Sequence, residues 1–148
     1  MTPLTTWTCD TCREEITAPD LGIVVWRADG AFKAYDFKIV HQSGVNGQGG
    51  CDPGAGAGYV SNLNLPFLLG ENGLAYLLSM LSAGPLKGGG GITVSDLDGF
   101  VDLTRRLQTP WYEQARARFG DEDVQIDLAD ASEVFPYLPE TLKEIASH

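Results

Sequence analysis

The chain has 148 residues, with 10 basic and 20 acidic side chains and a formal net charge of −10. This length and a hydrophobic content of 43% are enough for a folded domain with its own core, which excludes a disordered chain. The negative charge disfavours binding to duplex DNA or to an anionic membrane surface, because both would repel it.

The first third of the chain predicts a short antiparallel β-structure. Residues 23–26 are rich in β-branched and aromatic side chains, and residues 31–40 alternate between apolar and polar side chains. Asp29-Gly30 between the two runs is a strong signal for a hairpin turn. We therefore expect two paired strands, with His41 at the end of the second.

A metal site is predicted from the pattern C-x2-C-x28-H-x9-C. Its members are all three cysteines of the chain and the only histidine before the last residue. Three thiolates and one imidazole make a tetrahedral Zn²⁺ site, and four protein ligands leave no position for water, so we expect a structural site. The predicted metal ligands are Cys9, Cys12, His41 and Cys51.

Two alternatives to this ligand set stay open. Cys9 and Cys12 would form a redox pair in a thioredoxin-like βαβ unit, although no such unit is evident here. Asp10, Asp52 or His148 would replace His41 as the fourth ligand. Metal-bound thiolates favour a reducing compartment. No apolar run is long enough to span a bilayer and no secretory leader is evident, so we expect a cytoplasmic protein.

The second half of the chain has a helical pattern. Residues 43–58 and 88–91 are glycine-rich and are predicted to be connecting loops. Between them, a leucine stripe over residues 74–81 predicts a central, largely buried helix from about residue 71 to 82. Ser95 is the expected N-cap of the next helix.

Two prolines mark the expected starts of the last helices. Thr109-Pro110 predicts an N-cap followed by proline at the first helical position, and Pro139 opens the final helix. The predicted fold class is therefore α+β. A zinc-bound, zinc-ribbon-like β-hairpin module at residues 1–58 packs on a C-terminal bundle of three to four helices at residues 59–148, and the two share one core.

Several short motifs occur together in this chain. They are W-x-C-D-x-C, F-K-I-V-H, C-D, a leucine-rich helix and T-P-W-Y-E-Q-A-R. Their combination resembles a family of short, uncharacterised bacterial proteins with an N-terminal W-x-C-D-x-C...H...C zinc motif, and the resemblance implies no particular activity. The motifs stand at residues 7–12, 37–41, 51–52, 68–81 and 109–116.

At the level of the fold, the cysteine pair is similar to the knuckles of zinc ribbons and treble clefs. The usual knuckle reads C-P-x-C-G. Asp10 stands in place of its proline and Arg13 in place of its glycine. The resemblance implies a zinc-ribbon-like arrangement, with these two departures.

The predicted function is protein–protein interaction or regulation, supported by structural zinc and without catalytic activity. The closed ligand set and the lack of a catalytic constellation favour it, and the acidic surface suits a partner with a basic face. Self-association is a further option, and no membrane partner is expected.

The alternative is a zinc-ribbon-type nucleic-acid-binding regulator; a zinc enzyme with an open position near Cys51 is less favoured. The nucleic-acid alternative requires one basic face formed by Lys33, Lys38, Arg105, Arg106, Arg116 and Arg118.

Overall fold

The structure is a computed structural model that describes residues 2–44, 50–87 and 93–147. The predicted connector at residues 88–91 and residues 45–49 of the predicted glycine-rich loop lie outside the described residues. The described part of the chain contains two antiparallel sheets and six α-helices. The mixed α+β class is confirmed.

The larger sheet has three strands, and the smaller sheet is a two-stranded hairpin at the N-terminus. The strands are β1 (Trp7–Thr8), β2 (Glu15–Ile16), β3 (Gly22–Ala28), β4 (Ala34–His41) and β5 (Ser61–Asn64). The order in the larger sheet is β4-β3-β5, with β3 in the centre and antiparallel to both neighbours.

The predicted hairpin is confirmed as β3 and β4. Its turn is closed by the Asp29 carboxylate, which accepts hydrogen bonds from the amides of Ala31 and Lys33 at 2.9 and 3.0 Å. The register is regular at the end of the hairpin that carries His41, where Gly22 pairs with His41. The sequence pattern did not predict the short hairpin β1–β2 or strand β5.

The number of helices exceeds the three to four that the sequence predicted. Within the described residues they are α1 (Gly70–Leu81), α2 (Gly84–Lys87), α3 (Leu97–Gln108), α4 (Tyr112–Arg116), α5 (Glu122–Leu128) and α6 (Pro139–Ser147). The start of the last helix at Pro139 is as predicted. No helix in this part of the chain has the length and apolar character needed to cross a membrane.

Two predicted helix starts are wrong. The cap of α3 is Asp96, whose carboxylate accepts a hydrogen bond from the Gly99 amide at 3.0 Å, so it replaces Ser95 in that role. Helix α4 begins at Tyr112, because Trp111 has a left-handed backbone with φ of 72° and separates the helix from Thr109-Pro110.

Helix α1 lies where predicted, but it is not the central buried helix. Its buried residues are Gly73 and Leu77, whereas Leu74, Tyr76 and Leu78 are exposed. The helix packs on one side, against α3 and the preceding turn. A broad apolar stripe therefore did not imply burial on all sides.

The described residues form two hydrophobic cores. The main core lies between the sheet, α1 and α3, and includes Trp7, Val24, Leu65 and Leu103. The second core lies among α4, α5 and α6, where Leu142 and its neighbours meet. The division into residues 1–58 and 59–148 stays a prediction; β5, which follows residue 58, pairs with β3.

Candidate metal centre

The four predicted ligands converge at one point. One ligand atom from each of Cys9, Cys12, His41 and Cys51 lies within 4.8 Å of the others, and the group can hold a metal ion. His41 Nδ1 is 3.4 Å from Cys12 Sγ and 3.7 Å from Cys51 Sγ. A tetrahedral ion with metal–sulfur and metal–nitrogen bonds of about 2.3 and 2.0 Å places nitrogen and sulfur about 3.5 Å apart. The two distances fit that geometry.

The first two ligands are placed by the turn of the β1–β2 hairpin. Trp7 pairs with Ile16 at the base of the hairpin, and the Cys9 amide donates to the Glu14 carbonyl at 2.9 Å. The Arg13 amide donates back to the Cys9 carbonyl at 2.9 Å. This tight turn faces both thiols the same way, with Cys9 buried and Cys12 exposed.

The other two ligands are placed by the end of β4. The Cys51 amide donates to the His41 carbonyl at 3.0 Å, which brings the loop beside the strand end. His41 Nε2 lies 3.1 Å from the Glu15 carbonyl oxygen. We assign the proton to Nε2, because only a donor can bond that carbonyl, and Nδ1 then presents its lone pair to the thiols.

The environments of Cys9 and Cys51 shift the pKa values of their thiols in opposite directions. Burial by itself would raise the pKa of Cys9, but backbone hydrogen bonds at Cys12, Thr11 and His41 lower it to about 7. Burial raises the pKa of Cys51 to about 12, and the neighbouring Cys12 and Cys9 add to the increase. Full deprotonation of three thiols so close together is unfavourable, because the thiolates repel one another. A divalent cation offsets this repulsion by neutralising the thiolates.

The alternative fourth ligands are engaged elsewhere or lie outside the described residues. Asp10 Oδ2 accepts hydrogen bonds from the Ile39 amide at 2.8 Å and from the Arg106 guanidinium at 2.7 Å. Asp52 Oδ1 accepts one from the Gly54 amide at 2.8 Å. His148 is outside the described residues. Neither aspartate belongs to the four-residue group that can hold a metal ion.

A buried arginine network behind the cysteine turn was missed from the sequence. Arg106 is 3% exposed, and its guanidinium bonds Glu113 at 2.8 Å and Asp10 at 2.7 Å. It also donates to the Thr8 carbonyl at 3.1 Å, while its own carbonyl accepts a hydrogen bond from the Trp7 indole at 3.0 Å. Arg106 thus connects the cysteine turn to α3 and α4.

The spacing within α3 contains a signal for this network. Leu103 and Leu107 are buried on the inner face of the helix, and Arg106 shares that face because it lies three residues after Leu103. The nucleic-acid alternative instead required Arg106 to lie with Arg105 on one basic face. A charged residue on an apolar helical stripe is a candidate for a buried ion pair.

Arg13 provides a test of the turn geometry. Its φ of 68° is in the left-handed region, at the position where the usual knuckle has glycine. A side chain in that region costs about 1 kcal/mol relative to glycine. We expect Arg13→Gly to stabilise the metal-loaded protein by about 0.5–1 kcal/mol in urea unfolding.

Arg13→Ala is the control for this substitution. It removes the charge but keeps a Cβ at the strained position, so we expect no comparable gain. If the alanine variant is stabilised as much as the glycine variant, the backbone explanation is wrong.

The four-residue group is the feature from which the role of the protein must be inferred. Comparison of the chain with protein-family models, with curated proteins and with solved structures finds no match. No activity is therefore transferred to this chain from a relative. The role of the protein is therefore inferred from its own residues.

Proposed function

We propose that the protein binds one structural Zn²⁺ and acts as a non-catalytic protein-binding regulator. The observation that carries the proposal is the meeting of four soft or borderline ligands at tetrahedral spacing. Thiolate and imidazole donors favour zinc over magnesium or calcium. Four protein ligands fill the tetrahedron, so no position remains for a substrate or for an activated water.

The arrangement of the ligands supports a zinc-ribbon-like centre. Cys9 and Cys12 lie on a tight hairpin turn that resembles a knuckle, and the second pair comes from a strand end and the loop after it. We also propose membership of the family of short bacterial proteins with this motif order. Three unpaired thiols at one site suit a reducing compartment, so we place the protein in the cytoplasm.

The pairing of basic side chains supports a protein partner over nucleic acid. Arg106 is buried between two carboxylates. Arg116 lies 3.3 Å from Asp102, and Arg118 lies 2.9 Å from Asp121. Three of the six cations that the basic face requires are neutralised in this way, which reduces the charge available to compensate phosphates, and phosphate contacts dominate affinity for nucleic acid.

The test begins with the metal itself. Protein purified without chelator or affinity tag should contain one zinc per chain by mass spectrometry. Cobalt exchanged into the site should give the visible spectrum of a four-coordinate, sulfur-rich centre, and azide should leave that spectrum unchanged because no position is open. A spectrum that changes with azide would support the zinc-enzyme alternative. Protein without zinc would overturn the proposal.

A further inference from the structure

The negative charge of the chain is concentrated at one end. Residues 121–148 carry eight acidic side chains and one basic side chain, a net charge of −7, whereas residues 1–120 carry −3. Among the described residues, the ion pair between Asp121 and Arg118 is the one salt bridge that involves this segment. Lys143 lies over the Trp111 ring, 5.5 Å from its centroid. The other carboxylates of this segment therefore have no ion-pair partner within the described part of the chain.

The same segment contains an apolar groove between α5 and α6. The groove has a volume of about 220 Å³. Its apolar lining is Val124, Leu128, Phe135 and Ile145, and its acidic lining is Asp123, Asp127 and Glu144. Phe135 is 48% exposed although it is a large apolar side chain. We refer to these seven lining residues as the acidic groove.

A second hollow continues the apolar surface. It has a volume of about 240 Å³ and shares Val124 and Leu128 with the acidic groove. Its other lining residues include Phe119 and Tyr137, which pack edge to face, with their ring centroids 6.5 Å apart. Because Val124 and Leu128 line both hollows, the two form one continuous apolar surface along α5, which suits an elongated ligand.

We infer that the acidic groove is the docking site for a basic amphipathic segment of a partner protein. This inference rests on the proposed function and names the surface and the chemistry of the partner. Apolar side chains of the segment would occupy the floor formed by Val124, Leu128 and Ile145. Lysine or arginine side chains beside them would face the acidic rim, as in helix-in-groove recognition.

Charge complementarity selects this occupant over others. A second copy of the chain would bring the same excess of carboxylates to the groove, and an anionic membrane would repel it. A basic segment would instead meet the like charges of Asp123 and Asp127, which lie one helical turn apart and have no ion-pair partner among the residues that the structure describes. Exposed ion pairs act mainly on the rate of association and on its salt dependence. Apolar contacts supply the affinity.

The probe is a synthetic leucine–lysine peptide of about 14 residues, or four turns, with leucines on one helical face. Fluorescence anisotropy would measure its binding to the zinc-loaded full chain at low and high salt. We expect binding that weakens with salt. Glutamate in place of every lysine of the peptide should abolish binding, and so should a scrambled order without an apolar face.

Substitutions in the protein locate the site. Asp123→Asn with Asp127→Asn should weaken peptide binding about fivefold and reduce its salt dependence. The matched control, Asp20→Asn with Glu71→Gln, makes the same change in net charge at exposed positions elsewhere and should have no such effect. Phe135→Ser should weaken binding, whereas Phe67→Ser, at a similarly exposed phenylalanine, should not.

The outcomes separate this inference from the proposed function. Equal binding by both double variants, tight binding of the glutamate peptide, or a dimer that covers the groove would overturn the docking site. Zinc content is measured on the same samples. If protein that contains zinc does not bind the peptide at the acidic groove, only the docking site is contradicted. If protein without zinc binds the peptide there, only the metal proposal is contradicted.

Discussion

Serine in place of Cys9 is expected to abolish stable metal binding and to unfold the sheet region of the protein. Cys9 is 0% exposed and packs in the main core beside Trp7. Structural zinc contributes about 10 kcal/mol of apparent folding free energy, which is comparable to the whole stability of a typical domain of about 5–15 kcal/mol. Loss of the ion should therefore remove most of the cooperative unfolding transition.

Three measurements check this result. Mass spectrometry should find less than one zinc per chain in the variant, and circular dichroism should show a lost or broadened thermal transition. Emission from the buried Trp7 should shift as the residue becomes solvated, provided that Trp26 and Trp111 are replaced by phenylalanine in both proteins. A chelator added to the unmodified chain should produce the same changes.

Thr11→Ala is the matched control for Cys9→Ser. Thr11 is an exposed residue of the same turn and lies between the two cysteines without being one of the four ligands. We expect one zinc per chain and a nearly unchanged transition. A Cys9→Ser variant that also retains zinc and melts like the unmodified protein would contradict the four-ligand centre.

Methionine in place of Arg106 is expected to destabilise the zinc-loaded protein by about 3–5 kcal/mol. The substitution keeps much of the apolar stem but removes the 2.8 Å ion pair of the buried Glu113, which then keeps only the longer 3.6 Å contact with Arg116. It also removes the guanidinium from Asp10, which lies in the cysteine turn. Urea unfolding at fixed zinc concentration would measure the change in the free energy of unfolding.

The metal site should respond to the same substitution. Asp10 bonds the Ile39 amide and thereby holds the cysteine turn against β4. Because residues that orient metal ligands typically change affinity 10–100-fold, we expect weaker zinc binding in a competition titration with a chromophoric chelator, by about tenfold. Unchanged zinc affinity would mean that the turn is held without Arg106.

Arg116→Met is the control for Arg106→Met. Arg116 lies 3.3 Å from Asp102 and 3.6 Å from Glu113, but its side chain is 30% exposed and Arg106 still compensates Glu113 in this variant, so we expect a loss of about 0–1 kcal/mol. A triple variant with Arg106→Met, Asp10→Asn and Glu113→Gln should recover part of the lost stability, because it removes the unpaired charges. An Arg106→Met loss no larger than that of Arg116→Met would contradict the buried network.

The sequence by itself determined the features that depend on neighbouring residues. The alternation of residues 31–40 and the Asp29-Gly30 turn predicted the β3–β4 hairpin, because side-chain direction and turn geometry are local properties of the chain, although β4 begins only at Ala34. The C-x-x-C spacing likewise placed two thiols on one turn. Pro139 marked the start of α6, because proline favours the first helical position.

The candidate metal group was also predictable as a set of residues, but its geometry was not. Cysteine and histidine counts identified four candidate ligands for one ion. The bond between the Cys51 amide and the His41 carbonyl, and the contact of His41 Nε2 with Glu15, are long-range consequences of folding. Only they determine which imidazole nitrogen faces the thiols.

The tertiary structure alone decided what is buried. The stripe on α1 indicated an apolar helical face, yet Leu74 and Leu78 are exposed because no element among the described residues covers that side. The nucleic-acid alternative required Arg106 on an exposed basic face, yet it is buried because Asp10 and Glu113, from other elements, compensate its charge. Periodicity shows which side chains share a face, whereas burial depends on which parts of the chain pack against that face.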